Sequence, residues 1–310
     1  MKRIGVLTSG GDSPGMNAAI RAVVRSAIYH GLEVYGIKRG YAGLLNEEIE
    51  PMTTLSVGGI INRGGTILRS ARCEAFKTPE GLQQAATILD KYAIDALAVI
   101  GGDGSMRGGV ELSRICPVKI MGLPGTIDND IPGTDYSIGF DTAVNTALDA
   151  IDKVRDTAYS HDRVFVIEVM GRHKGFIALE VGLAGGAEAI LIPEVPYDLV
   201  DLLERLRESY ERGKTSSIIV VAEGAARAED VKQFLQAHTP YHLRALVLGH
   251  MQRGGAPTAF DRVLATQFGN EAAQLVMRGA FDRMVTLQDG RLGSIALAEA
   301  VHGSRRVPLD

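Results

Sequence analysis

Short apolar runs alternate along this chain with longer stretches whose apolar positions recur every three or four residues. The short runs predict strands over Ile4–Leu7, Val34–Ile37, Leu97–Ile100, Ile120–Leu123, Val164–Val169, Ala189–Ile192, Ile218–Ala222 and Ala245–Leu248. The longer stretches predict helices over Met16–His30, Pro79–Tyr92, Thr142–Thr157, Leu199–Arg212 and Ala259–Met277. Strand and helix alternating nearly end to end imply an α/β fold with mostly parallel sheets covered by helices on both faces. A break is expected near Asp135–Gly139, where a second series of strand–helix units begins. No repeat of fixed period and no low-complexity segment interrupts the pattern.

Composition narrows this reading. At 310 residues the chain has room for two domains with substantial cores. A net charge of −4 offers no basic face for nucleic acid, so any anionic ligand needs local arginines. The two cysteines, Cys73 and Cys116, form no CxxC pair and suit a reducing cytoplasm. The start of the chain does not read as a signal peptide. No segment approaches the roughly 18 apolar residues of a membrane span.

The 37 glycines cluster in turns that follow strands, where the candidate chemistry also lies. Ile100-Gly-Gly-Asp-Gly-Ser105 offers bare backbone N–H groups and one carboxylate, suited to phosphates and a divalent cation. Pro124-Gly-Thr-Ile-Asp-Asn-Asp130 sets Asp128 and Asp130 two residues apart on a turn, suited to proton abstraction. Both blocks follow strands, and open α/β sheets bind ligands beyond the carboxyl ends of their strands. A third turn, Ser9-Gly-Gly-Asp-Ser-Pro-Gly-Met-Asn17, aims N–H groups and a helix start at an anion. Gly10, Gly11 and Gly15 do not have dinucleotide-fingerprint spacing. Gly213-Lys-Thr215 is no Walker loop, because Glu208 replaces that motif's first glycine and a strand follows. Together the blocks point to phosphoryl transfer.

The ordered set GGDSPGMN, GGDGS, PGTIDND, Met170-Gly-Arg172 and Gly249-His-Met-Gln-Arg-Gly-Gly255 closely resembles the bacterial ATP-dependent 6-phosphofructokinase family, over all but the last residues. The resemblance implies two Rossmann-like three-layer domains with the active site in the cleft between them. Residues 1–138 plus 252–304 would bind ATP, 139–251 would bind fructose 6-phosphate, and 305–310 would form a tail. It implies Asp128 as the base for the 1-hydroxyl of fructose 6-phosphate, with Thr126 and Asp130 beside it and Arg172 stabilising the transferred phosphoryl group. Asp103 would meet Mg²⁺ through water. Gly11, Gly102, Gly104, Ser105 and Gly108 would cradle ATP, lined by Tyr41, Arg72 and Cys73. The loop after Arg72 lacks the family's proline, which puts its rigidity at issue. Glycine at Gly104 and Gly125 fits ATP, since pyrophosphate-dependent relatives carry an aspartate and a lysine there.

For the sugar phosphate, the resemblance implies Thr126, Ile127, Arg163, Met170, Gly171, Glu223, Arg244, His250, Met251, Gln252 and Arg253, together with Asp128 and Arg172. Arg163 and Arg244 would enter a neighbouring subunit's site, hence a homotetramer. An effector nucleotide would be held by Arg21 and Arg25, one turn apart on the first helix, with Arg155, Gly186, Ala187 and Glu188. Arg212, Lys214, Thr215 and Ser216 complete that set. Thr54 and Gly59 stand where regulated relatives carry a charge, which predicts weaker phosphoenolpyruvate inhibition with the ADP response kept. A lipid or NAD kinase shares the GGDG block but lacks PGTIDND and the later arginines. A catalytically dead sugar-phosphate sensor would have lost Asp103, Asp128 or Arg172, and all three are present.

Overall fold

The structure, a computed structural model, describes residues 1–309, so Asp310 of the expected tail lies outside the described residues. The chain divides into two units: Met1–Thr142 with Arg253–Arg305, and Ala143–Gln252 with the residues after Arg305.

The first unit is built on seven strands: β1 (Arg3–Ser9), β2 (Glu33–Ile37), β3 (Ile49–Met52), β4 (Ala96–Gly101), β5 (Lys119–Pro124), β10 (Arg283–Gln288) and β11 (Arg291–Ala296). They lie in the order β11-β10-β5-β4-β1-β2-β3. The five central strands are parallel, and β3 and β11 add antiparallel edges. Alternate residues of the central strands enter opposite cores, as a period of two requires when both faces are covered. Ala96, Ala98 and Ile100 join the core under α1 (Met16–Tyr29) and α9 (Ala259–Arg278), while Leu97 and Val99 join the other. That second core lies under α2 (Gly40–Leu45), α3 (Pro79–Lys91) and α4 (Asp103–Ile115).

Small residues let α1 and α9 touch: a Cβ on Gly269 would come within 2.5 Å of Ala22 Cβ. Helix starts follow capping chemistry. Thr78 Oγ1 accepts from Gly81 N–H with Pro79 at the first turn, and Thr258 Oγ1 accepts from Asp261 N–H. Gly279, left-handed at φ 72°, ends α9.

The second unit holds an all-parallel sheet in the order β7-β8-β6-β9, from β6 (Arg163–Val169), β7 (Ala189–Leu191), β8 (Ser217–Ala222) and β9 (His242–Val247). Its core packs Val164, Val166, Ile219 and Val221 against Leu202, Leu206, Val231 and Leu235 of α7 (Leu199–Glu211) and α8 (Ala228–His238). On the sheet also packs α6 (Phe176–Ala184), where Gly182 makes way for Ile190. The helix α5 (Phe140–Ser160) starts two residues earlier than its periodicity predicts and runs three further. The last strand of this sheet begins three residues before the expected Ala245, because polar His242 and Arg244 pair with Arg163 and Phe165 on an edge.

Candidate active site

Strand register brings the motif turns together. Ser9 pairs with Gly101 and Gly101 with Pro124, so the loops after β1, β4 and β5 leave three adjacent parallel strands at one level. Gly125 N–H donates to Gly101 O at 2.9 Å, joining the second and third turns directly. The loops enclose a cavity of about 740 Å³ within the first unit. Gly11, Arg72, Asp103, Asp128, Asp130 and Arg253 all line it. So do Tyr41, Cys73, Gly102, Gly104, Ser105, Gly108 and Thr126.

Each glycine has its own reason. A Cβ on Gly101 would come within 2.5 Å of both Ser105 Oγ and Ser9 O, so the turn closes only without one. Gly104, in the first turn of α4, faces open space where a Cβ would be. An aspartate there would fit the protein but set its carboxylate at a helix start that favours an anion. Gly108 lets α4 settle on Tyr41 and Phe76, at 2.8 and 3.1 Å from its missing Cβ. Tyr41 and Phe76 stack with ring centres 3.9 Å apart, and the Tyr41 hydroxyl donates to Ser105 O at 2.7 Å. Burial pushes the Tyr41 phenol up, so it stays a donor at all working pH values. The loop without its proline is thus anchored: Phe76 is buried and Lys77 pairs with Glu74 at 2.8 Å.

The turn carrying Asp128 is held from within. Asp128 N–H donates to Thr126 Oγ1, and left-handed Asn129 (φ 52°) is buried, accepting from Ser137 N–H and donating to Asp135 O. Ser137 Oγ in turn donates to Thr126 O at 2.7 Å. Arg305 braces the turn, its N–H donating to Asp130 O at 3.2 Å and its guanidinium to Asn129 O at 3.3 Å. Ile127 is buried beneath. Asp103 opens α4, and its carboxylate meets Arg107 Nε at 3.0 Å.

Among the described residues no three His, Cys, Asp or Glu side chains gather to hold a metal. The cavity carboxylates fit Mg²⁺, which takes one or two protein ligands and arrives with phosphates and water.

Arg253, expected at the sugar phosphate, lines the same cavity. A Cβ on Gly11 would come within 2.3 Å of its guanidinium, which donates to Asp12 O at 3.2 Å. Nothing in the order of the motifs links positions so far apart; a glycine that makes room for a side chain is invisible in sequence.

The remaining expected residues are treated unit by unit. In the second unit, Met170, Gly171 and Arg172 follow β6, and Glu223 follows β8; Glu223 N–H donates to Val169 O at 2.9 Å. His250 and Met251 lie in a 3₁₀ turn over Gly249–Arg253. Gln252 is fully buried, its Oε1 accepts from Met170 N–H at 2.8 Å, and its Nε2 has no partner among the described residues. Arg163 begins β6, about 20 Å of strand before Val169 at about 3.3 Å per residue. Arg244, paired with Phe165, also stands short of that end.

Of the expected effector residues, Arg155 donates to Gly185 O and Gly186 O, and Ala187 N–H donates to Gly182 O. The Glu188 carboxylate is met by Lys214 and by Ile218 N–H, and Thr215 Oγ1 by Asp162. Arg212 lies 3.9 Å from Glu208, and Ser216 is half-buried just before β8. Arg21 and Arg25 lie on α1 in the first unit, Arg25 exposed.

The family model "Phosphofructokinase" matches residues 3–276. The chain is 58% identical over 292 residues to an ATP-dependent 6-phosphofructokinase of Bacillus pumilus, covering 94% of this chain and 91% of that one. It is 56% identical over all 310 residues to that of Bacillus cytotoxicus, covering 97% of it. Among solved structures, the T-state phosphofructokinase of Pichia pastoris superposes with a TM-score of 0.93 at 37% identity, over 97% of this chain and 37% of the longer Pichia chain. A pyrophosphate-dependent phosphofructokinase from Marinobacter aquaeolei superposes with a TM-score of 0.89 at 25% identity, over 100% of this chain and 86% of that one. With a family model across most of its length and relatives more than half identical end to end, this chain belongs to the phosphofructokinase family.

Proposed function

We propose that this chain transfers the γ-phosphoryl group of ATP to the 1-hydroxyl of fructose 6-phosphate, giving fructose 1,6-bisphosphate and ADP. The observation that carries the reading is one cavity lined by the α4 helix start, Arg72, and both Asp128 and Asp130. It combines a phosphate cradle, a cation and a base, the parts that phosphoryl transfer needs.

Asp128 takes the proton of the attacking hydroxyl, held by the turn through Thr126 and Asn129. Arg72 spreads the charge that moves between the phosphates. Asp103, with Asp130 nearby on the cavity wall, would hold Mg²⁺, whose charge neutralises the phosphate oxygens. The open space at Gly104 and the names of the two Bacillus relatives both favour ATP over pyrophosphate.

In this reading, the first unit binds nucleotide. Met170, Gly171, Arg172 and Glu223 of the second unit take the sugar, with His250, Met251 and Arg253 on the 6-phosphate. Gln252 acts from beneath, holding the Met170 backbone. Arg163 begins β6, at the opposite end of the strand from the turn that carries Arg172. That placement is in keeping with Arg163 and Arg244 completing a neighbour's site, and the family resemblance makes the assembly a homotetramer. Among the described residues no helix is long and apolar enough to cross a membrane, and a cytoplasmic enzyme of glycolysis fits the cysteine usage. An effector nucleotide would use Arg155, Glu188 and Lys214.

A coupled assay with fructose 6-phosphate tests the reading: turnover with ATP and Mg²⁺ is expected. Turnover with pyrophosphate and none with ATP overturns the donor; no turnover with either overturns the reaction.

A further inference from the structure

The first turns of α4 carry an arrangement of charge that neither the phosphate cradle nor the base explains. Asp103, Arg107 and Glu111 follow one another at intervals of four residues, so they share one helix face, and all three line the cavity. Arg107 Nε lies 3.0 Å from both carboxylate oxygens of Asp103. Glu111 is engaged from the other side by Arg114 at 2.6 Å, which leaves Arg107 directed to Asp103. The carboxylate in the place for a divalent cation is therefore already paired with a cation of the protein's own.

We propose that Arg107 is a stand-in for the divalent cation: it neutralises Asp103 until the cation arrives with the nucleotide and is displaced from the carboxylate by it. The proposal rests on the reading of this cavity as a nucleotide site. Its physical content is a competition. With Arg107 in place, a metal-free nucleotide meets a neutral pair instead of a bare carboxylate, so its phosphates are repelled less. The metal-bound nucleotide must break the pair, so its affinity is held back. Both effects reduce the factor by which Mg²⁺ tightens nucleotide binding. That factor is a linkage quantity, fixed by the difference in interaction with and without the cation.

Isothermal titration with the β,γ-imido analogue of ATP, in EDTA and in Mg²⁺, measures the factor directly without turnover. Arg107→Gln should raise it about 1.4- to fivefold, the span of an exposed ion pair. Metal-free binding should weaken and metal-bound binding hold or tighten. Arg107→Lys, which keeps the charge, should stay near the wild-type factor. In an Asp103→Asn background, Arg107→Gln should change the factor no further. An unchanged or lowered factor in Arg107→Gln, or the same rise with Asp103 already replaced, overturns the stand-in role while leaving the nucleotide site intact. Wild-type protein that binds the analogue in neither condition overturns the site itself and the stand-in with it.

Discussion

Replacing Asp261 should reveal a buried carboxylate whose contribution to stability is lost toward neutral pH. Asp261 is fully buried at the start of α9. Its Oδ1 accepts from Gly139 N–H at 2.9 Å, and its Oδ2 from Thr142 N–H at 2.8 Å and Thr142 Oγ1 at 2.5 Å, tying down the first turn of α5. Two influences compete. The hydrogen bonds favour the charged form, whereas burial, helped by Asp141, favours the neutral one; burial wins and pushes the carboxyl up to about 6.

A folded-state value above the unfolded one, about 3.9, means the native state binds the proton more tightly. The stability Asp261 contributes is thus fully present below about pH 4 and lost as pH rises through about 6. The rise from about 3.9 to about 6 corresponds to about 3 kcal/mol overall, of which about 1.4 kcal/mol falls between pH 5 and 7.5. Asp261→Asn removes this titration but turns an amide N–H toward one of the donors, an orphaning that costs about 1–3 kcal/mol at every pH. Urea unfolding of both proteins across pH 5–7.5 measures the difference. The advantage of wild type over Asp261→Asn should shrink by about 1.4 kcal/mol as pH rises, down to the orphaning cost alone at the top of the range. An advantage that grows with pH would mean the hydrogen bonds outweigh burial, and the reasoning fails.

Asp128→Ser should lower kcat by about 10²–10⁴-fold with little change in KM, and a variant keeping more than about a tenth of kcat would remove Asp128 from the base role. Gly11→Ala displaces the Arg253 guanidinium, so the KM for fructose 6-phosphate should rise while the fold holds, which thermal melting and steady-state kinetics check together. Phe76→Ala should cost about 3–5 kcal/mol in urea unfolding and raise the KM for ATP, because the Arg72–Cys73 loop loses its stacked anchor. For regulation, Gly59 is left-handed at φ 65°, so the charged residue of regulated relatives would be strained there. Inhibition curves should show weak phosphoenolpyruvate sensitivity, and Lys214→Ala should abolish the ADP response.

Much of this protein was legible in one dimension. The helices α1, α3, α7 and α9 end within one residue of where periodicity puts them, because amphipathic spacing and caps such as Thr78 and Thr258 act locally. The motif turns follow β1, β4 and β5 for the same reason: a buried parallel strand is a continuous apolar run with glycine beyond it. The hairpin of β10 and β11 also had its signal in Asp289-Gly290, whose paired positive φ values of 48° and 73° make the tight turn that asparagine or aspartate before glycine favours. Its strands stayed hidden because an edge pairing exposes residues such as Leu292 and breaks the alternation.

What only the tertiary structure decided are relations between distant segments. The register that levels Ser9, Gly101 and Pro124 depends on how two cores are filled at once, not on any one strand. Arg253 meets Gly11, and Asp261 meets Gly139, across more than a hundred residues, and neither partner carries a mark of the other. Asp261 illustrates the limit: in sequence it is an ordinary acid in the first turn of a helix, and only packing makes it a buried clamp. Local chemistry chooses which groups are present; the packed layers of sheet and helix decide which of them lose their water.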